Sequence, residues 1–413
     1  MFERLAFSPA DILLPQNCEY RKWSVVACDQ YTSQPEYWQR VEDYVGSAPS
    51  SLRLILPESC LEGPDVETDI MDVNNTMTRY LRDGVFKALP GAMVYVERGL
   101  SNGRTRRGLV GMVDLEQYDY EAGADTPIRA TEGTVLSRIP PRVAVRKNAP
   151  IELPHILLLT DDPGRTVIEP LAEEKERMEP LYDFDLMEGG GHLSGWLLPG
   201  AALERVSCAL QTLTDGASIQ FAVGDGNHSL ATAKECYERQ KRLTPPEKWA
   251  ALPARYALCE LVNLHDEALE FEPIHRVVFG VEPEALLYEL ISAYPGARFG
   301  PGGEGHSLSF LHRDGVGMVT VPNPRLRLSV GTLQAFLDAY AQRHRCRIDY
   351  IHGEDVARSL GMQEGNLAFL LPAMDKAELF PTVAQDGLLP RKTFSMGQAS
   401  DKRFYLEARR IRG

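Results

Sequence analysis

The sequence lacks several features that would assign it to a common protein class. Its 413 residues contain only seven cysteines, an odd number, and none form Cys-x-x-Cys. This pattern argues against a disulfide framework or a zinc ribbon and favours reduced thiols. No apolar run of about 18 residues is present, so no membrane-spanning helix is expected. The opening stretch MFERLAFSPADILLP lacks the regions of a secretory signal. We therefore expect a cytoplasmic protein.

Motifs of two common enzyme classes are also missing. His-Glu-x-x-His and Walker A do not occur. Zincins and P-loop NTPases therefore lose their usual signals. The formal charge of −14 argues against a protein that binds nucleic acid or a membrane surface. With 44% hydrophobic and 25% charged residues, the chain is expected to be globular and to form two or three domains.

Apolar runs and helical repeats follow one another without the regular alternation of a doubly wound sheet. This pattern predicts the α+β class, with mixed sheets and flanking helices. We expect helices over PEYWQRVEDYVG and DIMDVNNTMTRYLRDGVFKAL, a buried strand over LRLILPE, and a hairpin in which SNGR joins GAMVYVERGL to RRGLVGMVDLEQYDY. The predicted domains are a main domain over 1–280, a small α/β insert over 281–345 and a C-terminal segment over 346–413 that packs back on the main domain.

The most informative stretch is GDGNHS, residues 224–229, which ends an apolar run and opens a helical pattern. The N-terminus of a helix presents unpaired N–H groups and partial positive charge, which suits a phosphate or another anion. Gly224 and Gly226 would allow close backbone approach, and His228 could donate to a phosphate or shuttle a proton. The alternative is a capped turn, because Asp-Gly is a common turn pair and Asn and Ser favour helix N-caps.

A second polar stretch, IRATEGTVLSRIPPR, places three arginines around one carboxylate. Arg129, Arg138 and Arg142 with Glu132 fit an anion site that includes a general base or a metal ligand. A solvated loop with surface ion pairs explains the same residues equally well.

Two further stretches carry basic or titratable residues. From Arg391 onward the tail has seven basic residues and two acidic ones, and Arg391 with Lys392 favours contacts to phosphate. A charged surface strand and tail is the alternative. In FEPIHRVVFG, His275 and Arg276 interrupt an apolar run. A structural histidine at a strand end is the alternative to a catalytic one.

These stretches together carry a family resemblance. VGDGNHSLATAK, LVNLHDEALEFEPIHRVV, IRATEGTVLSRIPPR and LLPRKTFSMGQASDKRFYLEARRI resemble motifs of the DUF1015 family of uncharacterised bacterial and archaeal proteins, over essentially the whole chain. The family commonly shows Asp-Gly-His-His-Arg where this chain has residues 225–229, and its Pro-x-His-Arg appears at 273–276. Ser229 stands where the family often has Arg. A guanidinium that would bind phosphate is therefore missing unless another basic residue replaces it.

The strand, Asp-Gly-x-His and helix junction is similar to the phosphate-binding box of the ParB/sulfiredoxin-like fold, whose members include free-serine kinases. The resemblance implies a ParB/sulfiredoxin-like core with additional α/β elements. It also implies a nucleotide-dependent small-molecule phosphotransferase, such as an amino-acid kinase that acts on free serine, with ATP or ADP and Mg²⁺ as cofactors. Its partner would be a small-molecule or nucleotide ligand. The first helical turn, residues 226–229, would hold the phosphates.

Under this hypothesis Glu132 or Asp225 activates the acceptor hydroxyl, Asp225 is a candidate ligand for Mg²⁺, and His228 contacts the phosphates. We expect the other candidate ligand residues to converge with them on one cleft: Gly224, Gly226, Asn227, Ser229, Arg129, Arg138, Arg142, His275, Arg276, Arg391 and Lys392. Two alternatives are a non-catalytic protein that binds a nucleotide or phospho-metabolite and a metal-assisted hydrolase that uses Asp225 and His228. A DNA-binding partitioning protein is disfavoured by the net charge and by the lack of a helix-turn-helix signal.

Overall fold

The computed structural model describes residues 2–412, and these divide into two compact units. Within the described residues, unit 1 covers 2–269 and 397–412, and unit 2 covers 270–396. The α+β class is confirmed, because each unit combines sheets with helices. The three-part division at residues 280 and 345 and the ParB/sulfiredoxin-like core stay predictions. No helix within residues 2–412 is long and apolar enough to cross a membrane.

Unit 1 is built on a large mixed sheet of order β10-β11-β4-β5-β13-β9-β12-β7-β6, with β1 paired to β5, and a small sheet of order β3-β2-β21-β8. The strands are β1 (Phe7–Ser8), β2 (Ala10–Pro15), β3 (Phe86–Ala92), β4 (Val94–Gly99), β5 (Thr105–Asp114), β6 (Tyr118–Asp119), β7 (Ile128–Ala130), β8 (Ile151–Glu152), β9 (Leu157–Thr160), β10 (Glu179–Asp185), β11 (His192–Leu197), β12 (Phe221–Asp225), β13 (Tyr256–Asn263) and β21 (Ala408–Arg410). The helices are α1 (Tyr20–Trp23), α2 (Pro35–Val45), α3 (Val66–Arg82), α4 (Ile139–Arg146), α5 (Pro170–Glu174), α6 (Gly200–Thr214) and α7 (Asn227–Arg242).

Unit 2 has one sheet of order β15-β17-β16-β19-β14-β18, with β20 paired to β14. The strands are β14 (Phe271–Phe279), β15 (Arg298–Phe299), β16 (His306–His312), β17 (Gly315–Val321), β18 (Arg347–His352), β19 (Asn366–Leu370) and β20 (Phe394–Met396). The helices are α8 (Pro283–Ala293), α9 (Ser329–Arg343), α10 (Glu354–Gly361) and α11 (Leu379–Asp386). A separate apolar core packs α8 and α9 against this sheet.

Local signals predicted several elements correctly. Helix α2 begins at Pro35, and β4 and β5 form the hairpin expected from Asn-Gly. The helix predicted over DIMDVNNTMTRYLRDGVFKAL is confirmed only as far as Arg82, because residues 86–89 belong to strand β3. The strand predicted over LRLILPE is wrong. Residues Ser51–Leu54 form a 3-10 turn, because the hydroxyl of Ser50 accepts a hydrogen bond from the amide of Leu52 at 3.1 Å. Such local side-chain bonds compete with strand pairing for the same backbone groups.

The C-terminal chain of unit 1 runs back along its N-terminal chain. Val26 and Phe404 form an isolated β-bridge. The amide of Ala27 donates to the carbonyl of Arg403 at 3.0 Å, and the amide of Tyr405 donates to the carbonyl of Val25 at 2.8 Å. This pairing brings residues near position 29 to residues near position 402 and thereby assembles one side of the site described next.

Candidate functional site

The strand-to-helix junction predicted at 224–229 is present. Strand β12 ends at Asp225, and α7 begins at Asn227. Gly226 lies between them as the N-cap residue, in the left-handed conformation with φ of 81°. It has no side chain that could bond to the helix N-terminus. A Cβ at Gly226 would lie only 3.1 Å from the Cα of Ile156, so glycine is required both by φ and by space. The N–H groups of the first turn of α7 therefore have no capping side chain from this position and can receive an anion.

The loop after β7 lies against this junction. Because β7 pairs with β12 in parallel, both chains leave the sheet at the same edge. The hydroxyl of Thr131 donates to the carbonyl of Val223 at 2.6 Å, and the amide of Thr131 donates to Oδ1 of Asn227 at 3.2 Å. The amide of Val135 donates to Nε2 of His228 at 3.2 Å. Two of the stretches singled out in the sequence are thus hydrogen-bonded to each other.

His228 is neutral at neutral pH. Burial lowers the pKa of its imidazole, and the positive charges of Arg142 and Arg138 lower it further, against the opposing effect of Glu58 and Asp29. Because Nε2 accepts a hydrogen bond from a backbone amide, the neutral ring carries its proton on Nδ1. His228 therefore offers one N–H donor beside the first turn of α7.

Arg142 lies on helix α4, which packs beside α7. Ile139 and Val143 of α4 pack against Ala231 and Cys236 of α7, which fixes α4 beside the helix. Nη2 of Arg142 lies 2.7 Å from Oε2 of Glu58. Its Nη1 donates at 2.9 Å to the carbonyl of Arg138, whose own side chain is exposed. Arg142 therefore brings positive charge near His228 while one face of its guanidinium is held by Glu58.

Asp225 is paired with a lysine that the sequence analysis did not single out. Nζ of Lys402 lies 3.1 Å from Oδ2 of Asp225, and Oδ1 of Asp225 accepts the amide of Gly226 at 3.0 Å. Both carboxylate oxygens of Asp225 therefore have partners. This arrangement places the ammonium group of Lys402 at the end of β12, next to the start of α7.

Ser229 takes part in a hydrogen-bonded chain. Its hydroxyl lies 3.0 Å from Nε2 of His155, and Nδ1 of His155 lies 2.7 Å from the hydroxyl of Tyr405. The hydroxyl oxygen of Tyr405 also accepts the amide of Cys28 at 3.1 Å. His155 and Tyr405 are both buried. The chain links α7 to the paired segments around residues 28 and 405.

Asp29 is a carboxylate inside the same cluster. Burial opposes ionisation of Asp29, but the positive charges of His155 and Lys402, together with a hydrogen bond from Gln30 at 3.0 Å, hold the pKa of the carboxyl below its ordinary value. Asp29 is therefore ionised at neutral pH. A carboxylate in this position can accept a proton or bind a hard cation.

Arg129 is held within its own loop, Glu132 lies in the segment that follows β7, and their roles as ligand or base stay predictions. Arg129 is buried, and its guanidinium donates to the carbonyl of Thr126 at 2.6 Å and to the carboxylate of Asp125 at 2.8 Å. It therefore braces its own loop. Glu132 is half-buried in the loop between Thr131 and Val135.

The other predicted residues lie in unit 2. Nδ1 of His275 accepts the amide of Leu371 at 3.1 Å, and burial lowers the pKa of this histidine. Arg276 is fully buried and donates to the carbonyls of Lys392 and Arg391 at 2.9 and 3.0 Å. The PIHR and RKT stretches are thus joined to each other inside unit 2. Their roles as phosphate ligands stay predictions.

Sequence reasoning missed Asp29, Glu58, His155, Lys402 and Tyr405. Asp29 follows an apolar run in VVACDQY, and Lys402 lies in the basic tail that was singled out on composition. For Asp29, the available signal was a polar residue at the end of an apolar run. No local pattern shows that these two stretches pair.

Comparisons with solved structures give distant likenesses. A conserved hypothetical protein from Pyrococcus furiosus is 12% identical, with 73% of this chain and 94% of that chain covered and a TM-score of 0.37. A free serine kinase variant in complex with ADP is 10% identical, with 71% and 90% covered and a TM-score of 0.41. SbnI with a C-terminal truncation, from Staphylococcus aureus, is 12% identical, with 70% and 82% covered and a TM-score of 0.37.

No match was found among curated proteins. The family model described as "Protein of unknown function (DUF1015)" matches residues 12–340, which is well over half of the chain. This match confirms the family resemblance and covers three of the four motifs, whereas LLPRKTFSMGQASDKRFYLEARRI lies beyond it. The chain belongs to the DUF1015 family.

Proposed function

We propose that unit 1 binds the phosphates of a nucleotide at the N-terminus of α7 and transfers a phosphoryl group to a small-molecule acceptor. One observation carries the proposal. The ammonium of Lys402, a neutral His228 that carries its proton on Nδ1 and the ionised carboxylate of Asp29 lie around a helix start that Gly226 leaves without a capping side chain. Cations and N–H donors suit phosphate, and a nearby carboxylate suits activation of an acceptor.

The phosphates would be bound by backbone and side chain together. The amides of the first turn of α7 and Nδ1–H of His228 would donate to phosphate oxygens, as expected for an anion at a helix N-terminus. Lys402 and Arg142 would supply the positive charge that Ser229 does not. The box at 225–229 would thus work like the phosphate-binding box of the ParB/sulfiredoxin-like fold, with cations drawn from elsewhere in unit 1.

Asp29 is the best placed base for the acceptor. Two other carboxylates of the cluster are already paired, Asp225 with Lys402 and Glu58 with Arg142. Asp29 would take the proton of an acceptor hydroxyl, such as that of free serine, as the oxygen attacks the terminal phosphorus. Its carboxylate oxygens also fit Mg²⁺, which when bound would neutralise charge on the phosphates. In this scheme Asp29 is the base that activates the acceptor, in place of Glu132 or Asp225.

A metal-assisted hydrolase is less well supported by the same contacts. Asp225 is held by Lys402, and Nε2 of His228 is held by the amide of Val135. This alternative needs one free ligand atom from each residue, and these contacts already occupy the carboxylate of Asp225 and Nε2 of His228. A non-catalytic nucleotide or phospho-metabolite binder would use the same phosphate contacts and would differ only in making no product.

Thermal unfolding with ATP, ADP and Mg²⁺ tests the binding step. At 100 times its dissociation constant, a ligand specific for the folded state adds about 2.7 kcal/mol and raises Tm. We expect a shift for the wild type and for His192→Ala, an exposed histidine elsewhere in unit 1, and little or none for His228→Ala. The absence of any shift with millimolar nucleotide would contradict the proposal.

Mass spectrometry then tests the transfer step. The protein is incubated with ATP or ADP, Mg²⁺ and individual free amino acids, serine first. Formation of a phosphorylated amino acid, with matching loss of the nucleotide's terminal phosphate, is the expected result. A nucleotide-dependent Tm shift without product from any acceptor would favour the non-catalytic binder.

A further inference from the structure

Two arginines face each other inside unit 1. Arg98 of β4 and Arg106 of β5 are direct partners across the antiparallel pair. Their exposed fractions are only 1% and 5%. Like charges directly opposite each other destabilise a strand pair, and burial of charge is costly unless the charge is compensated. This pair therefore requires a compensating group.

The protein satisfies only part of the hydrogen-bonding capacity of the two arginines. Nη2 of Arg98 donates to the carbonyl of Ser400 at 2.9 Å, and Nη1 of Arg106 donates to the carbonyl of Asp401 at 3.2 Å. Nη2 of Arg106 lies 3.7 Å from Oε1 of Glu260. Within the part of the chain that the structure describes, Nε and Nη1 of Arg98 and Nε of Arg106 are buried and have no hydrogen-bond partner.

Both arginines line a small cavity. It has a volume of about 10 Å³, which is room for one water molecule or one monatomic ion. Its other charged neighbours are Glu260, Glu407 and Arg403. Arg403 engages both carboxylates, with Nε 2.8 Å from Glu260 and Nη2 2.7 Å from Glu407. Three guanidinium groups therefore face two carboxylates across this space.

Asp401 is a further acidic group beside the cavity. Its carboxylate accepts the amide and the hydroxyl of Ser101 at 2.8 and 2.7 Å, and its charge acts on Arg98 without a direct hydrogen bond to that guanidinium. Burial and the charge of Arg106 nevertheless lower the pKa of Arg98 to about 9.

The balance of donors and acceptors distinguishes an ion from a water. The three unpartnered nitrogens carry four N–H groups between them, whereas Oε1 of Glu260 is the unpartnered acceptor among the described atoms that line the cavity. A water molecule brings two more hydrogens that need acceptors. A monatomic anion brings acceptor capacity and no hydrogens, and acceptors are what the unpartnered N–H groups of this cavity lack.

We propose that the cavity between Arg98 and Arg106 binds one monatomic anion, chloride under ordinary conditions. The site goes beyond the nucleotide-binding function and does not depend on it. The same guanidinium groups hold the carbonyls of Ser400 and Asp401, which immediately precede Lys402. Occupancy by the anion would therefore also stabilise the segment that carries Lys402.

Thermal unfolding at constant ionic strength tests the site in the full-length protein. Chloride, bromide and gluconate are compared as sodium salts, because gluconate is too large for the cavity. We expect Tm to rise with chloride and bromide concentration for the wild type and to be independent of the anion for Arg98→Met. Arg82→Met is the matched control, since Arg82 is exposed and pairs with Asp83. It should respond as the wild type does. Equal Tm in all three salts for the wild type would overturn the proposal.

Crystals of the wild type grown with bromide give a direct readout that does not require the variant to fold. We expect an anomalous difference peak between the guanidinium groups of Arg98 and Arg106. A peak without anomalous signal at that position, which a water would give, would overturn the proposal, and so would an empty cavity.

Discussion

The ammonium group of Lys402 lies 3.1 Å from the carboxylate of Asp225, at the junction between strand β12 and helix α7. The side chains are only 14% and 22% exposed, so the pair is shielded from full solvent screening. Asp225 also accepts the amide of Gly226, so the carboxylate both shapes the turn and holds the lysine. Under the proposed function, Lys402 would supply the positive charge that a phosphate at the start of α7 needs, because Ser229 cannot.

Lys402→Met should weaken nucleotide binding. A hydrogen bond to a charged group contributes about 1.5–3 kcal/mol, so we expect a loss of affinity of roughly 10- to 100-fold by calorimetric titration with ADP. The unpaired Asp225 should also lower the free energy of unfolding by about 1 kcal/mol. Lys87→Met is the control, because Nζ of Lys87 lies 3.9 Å from Glu179 in a more exposed pair. Equal affinities for both variants and the wild type would contradict a role for Lys402.

Gly226→Ala should both destabilise unit 1 and impair nucleotide binding. Gly216 is the matched control, because it also has positive φ (71°) but no atom lies within 4 Å of its hypothetical Cβ. Gly216→Ala should lower the free energy of unfolding by about 1 kcal/mol through backbone strain alone. Gly226→Ala should lower the free energy of unfolding further, because its Cβ would also crowd Ile156. Denaturant titration measures the difference, and equal costs would show that the contact with Ile156 is relieved without penalty.

The strand, turn and helix at 221–242 could be predicted from sequence because their signals are local. An apolar run, an Asp-Gly pair and a helical pattern follow each other directly in the chain. The position of Asp29 next to Lys402 could not be predicted in this way. It depends on the pairing of residues 25–28 with 403–405, a register between opposite ends of the chain that neither segment encodes alone.

The basic residues show a second limit of sequence reasoning. Arg276 was singled out as a candidate anion ligand because it interrupts an apolar strand. In the structure its guanidinium donates to the backbone carbonyls of Arg391 and Lys392 and to the side chain of Gln334. A buried arginine can satisfy its donors with carbonyls or with a ligand, and the residue type alone does not distinguish the two.

Asp29→Asn should separate binding from catalysis. Loss of a general base typically costs 10²- to 10⁴-fold in rate, so we expect phosphoryl transfer to fall by roughly that factor. The Tm shift with ADP should remain, because the amides of α7, His228 and Lys402 are unchanged. Asp43→Asn serves as the control, since Asp43 is an exposed partner of Gln39 on α2. Transfer at the wild-type rate in Asp29→Asn would rule out Asp29 as the base.

The pH dependence of the free energy of unfolding on the acidic side should reveal the lowered pKa of His228. Its pKa in the folded protein lies below the ordinary value of about 6.5, so the unfolded chain binds more protons between these two pKa values. The contribution of His228 to the free energy of unfolding therefore falls as pH drops through this window. We expect His228→Gln to lose less stability than the wild type between neutral and mildly acidic pH, measured by denaturant titration.

His192→Gln is a control of opposite sign for this experiment. Hydrogen bonds to Asp185 and Asp183 raise the pKa of His192, so its contribution is fully present below about pH 6.5 and is lost as pH rises through the folded pKa. This variant should lose more stability than the wild type on acidification. Parallel pH profiles for both variants and the wild type would contradict the assignment of a neutral, buried His228.

A crystal structure of the protein with ADP tests the central claim most directly. The account predicts the terminal phosphate within hydrogen-bonding distance of the first-turn amides of α7, with Nδ1 of His228 and Nζ of Lys402 as side-chain ligands. ADP bound at another place in the molecule, with the start of α7 free of phosphate, would contradict it.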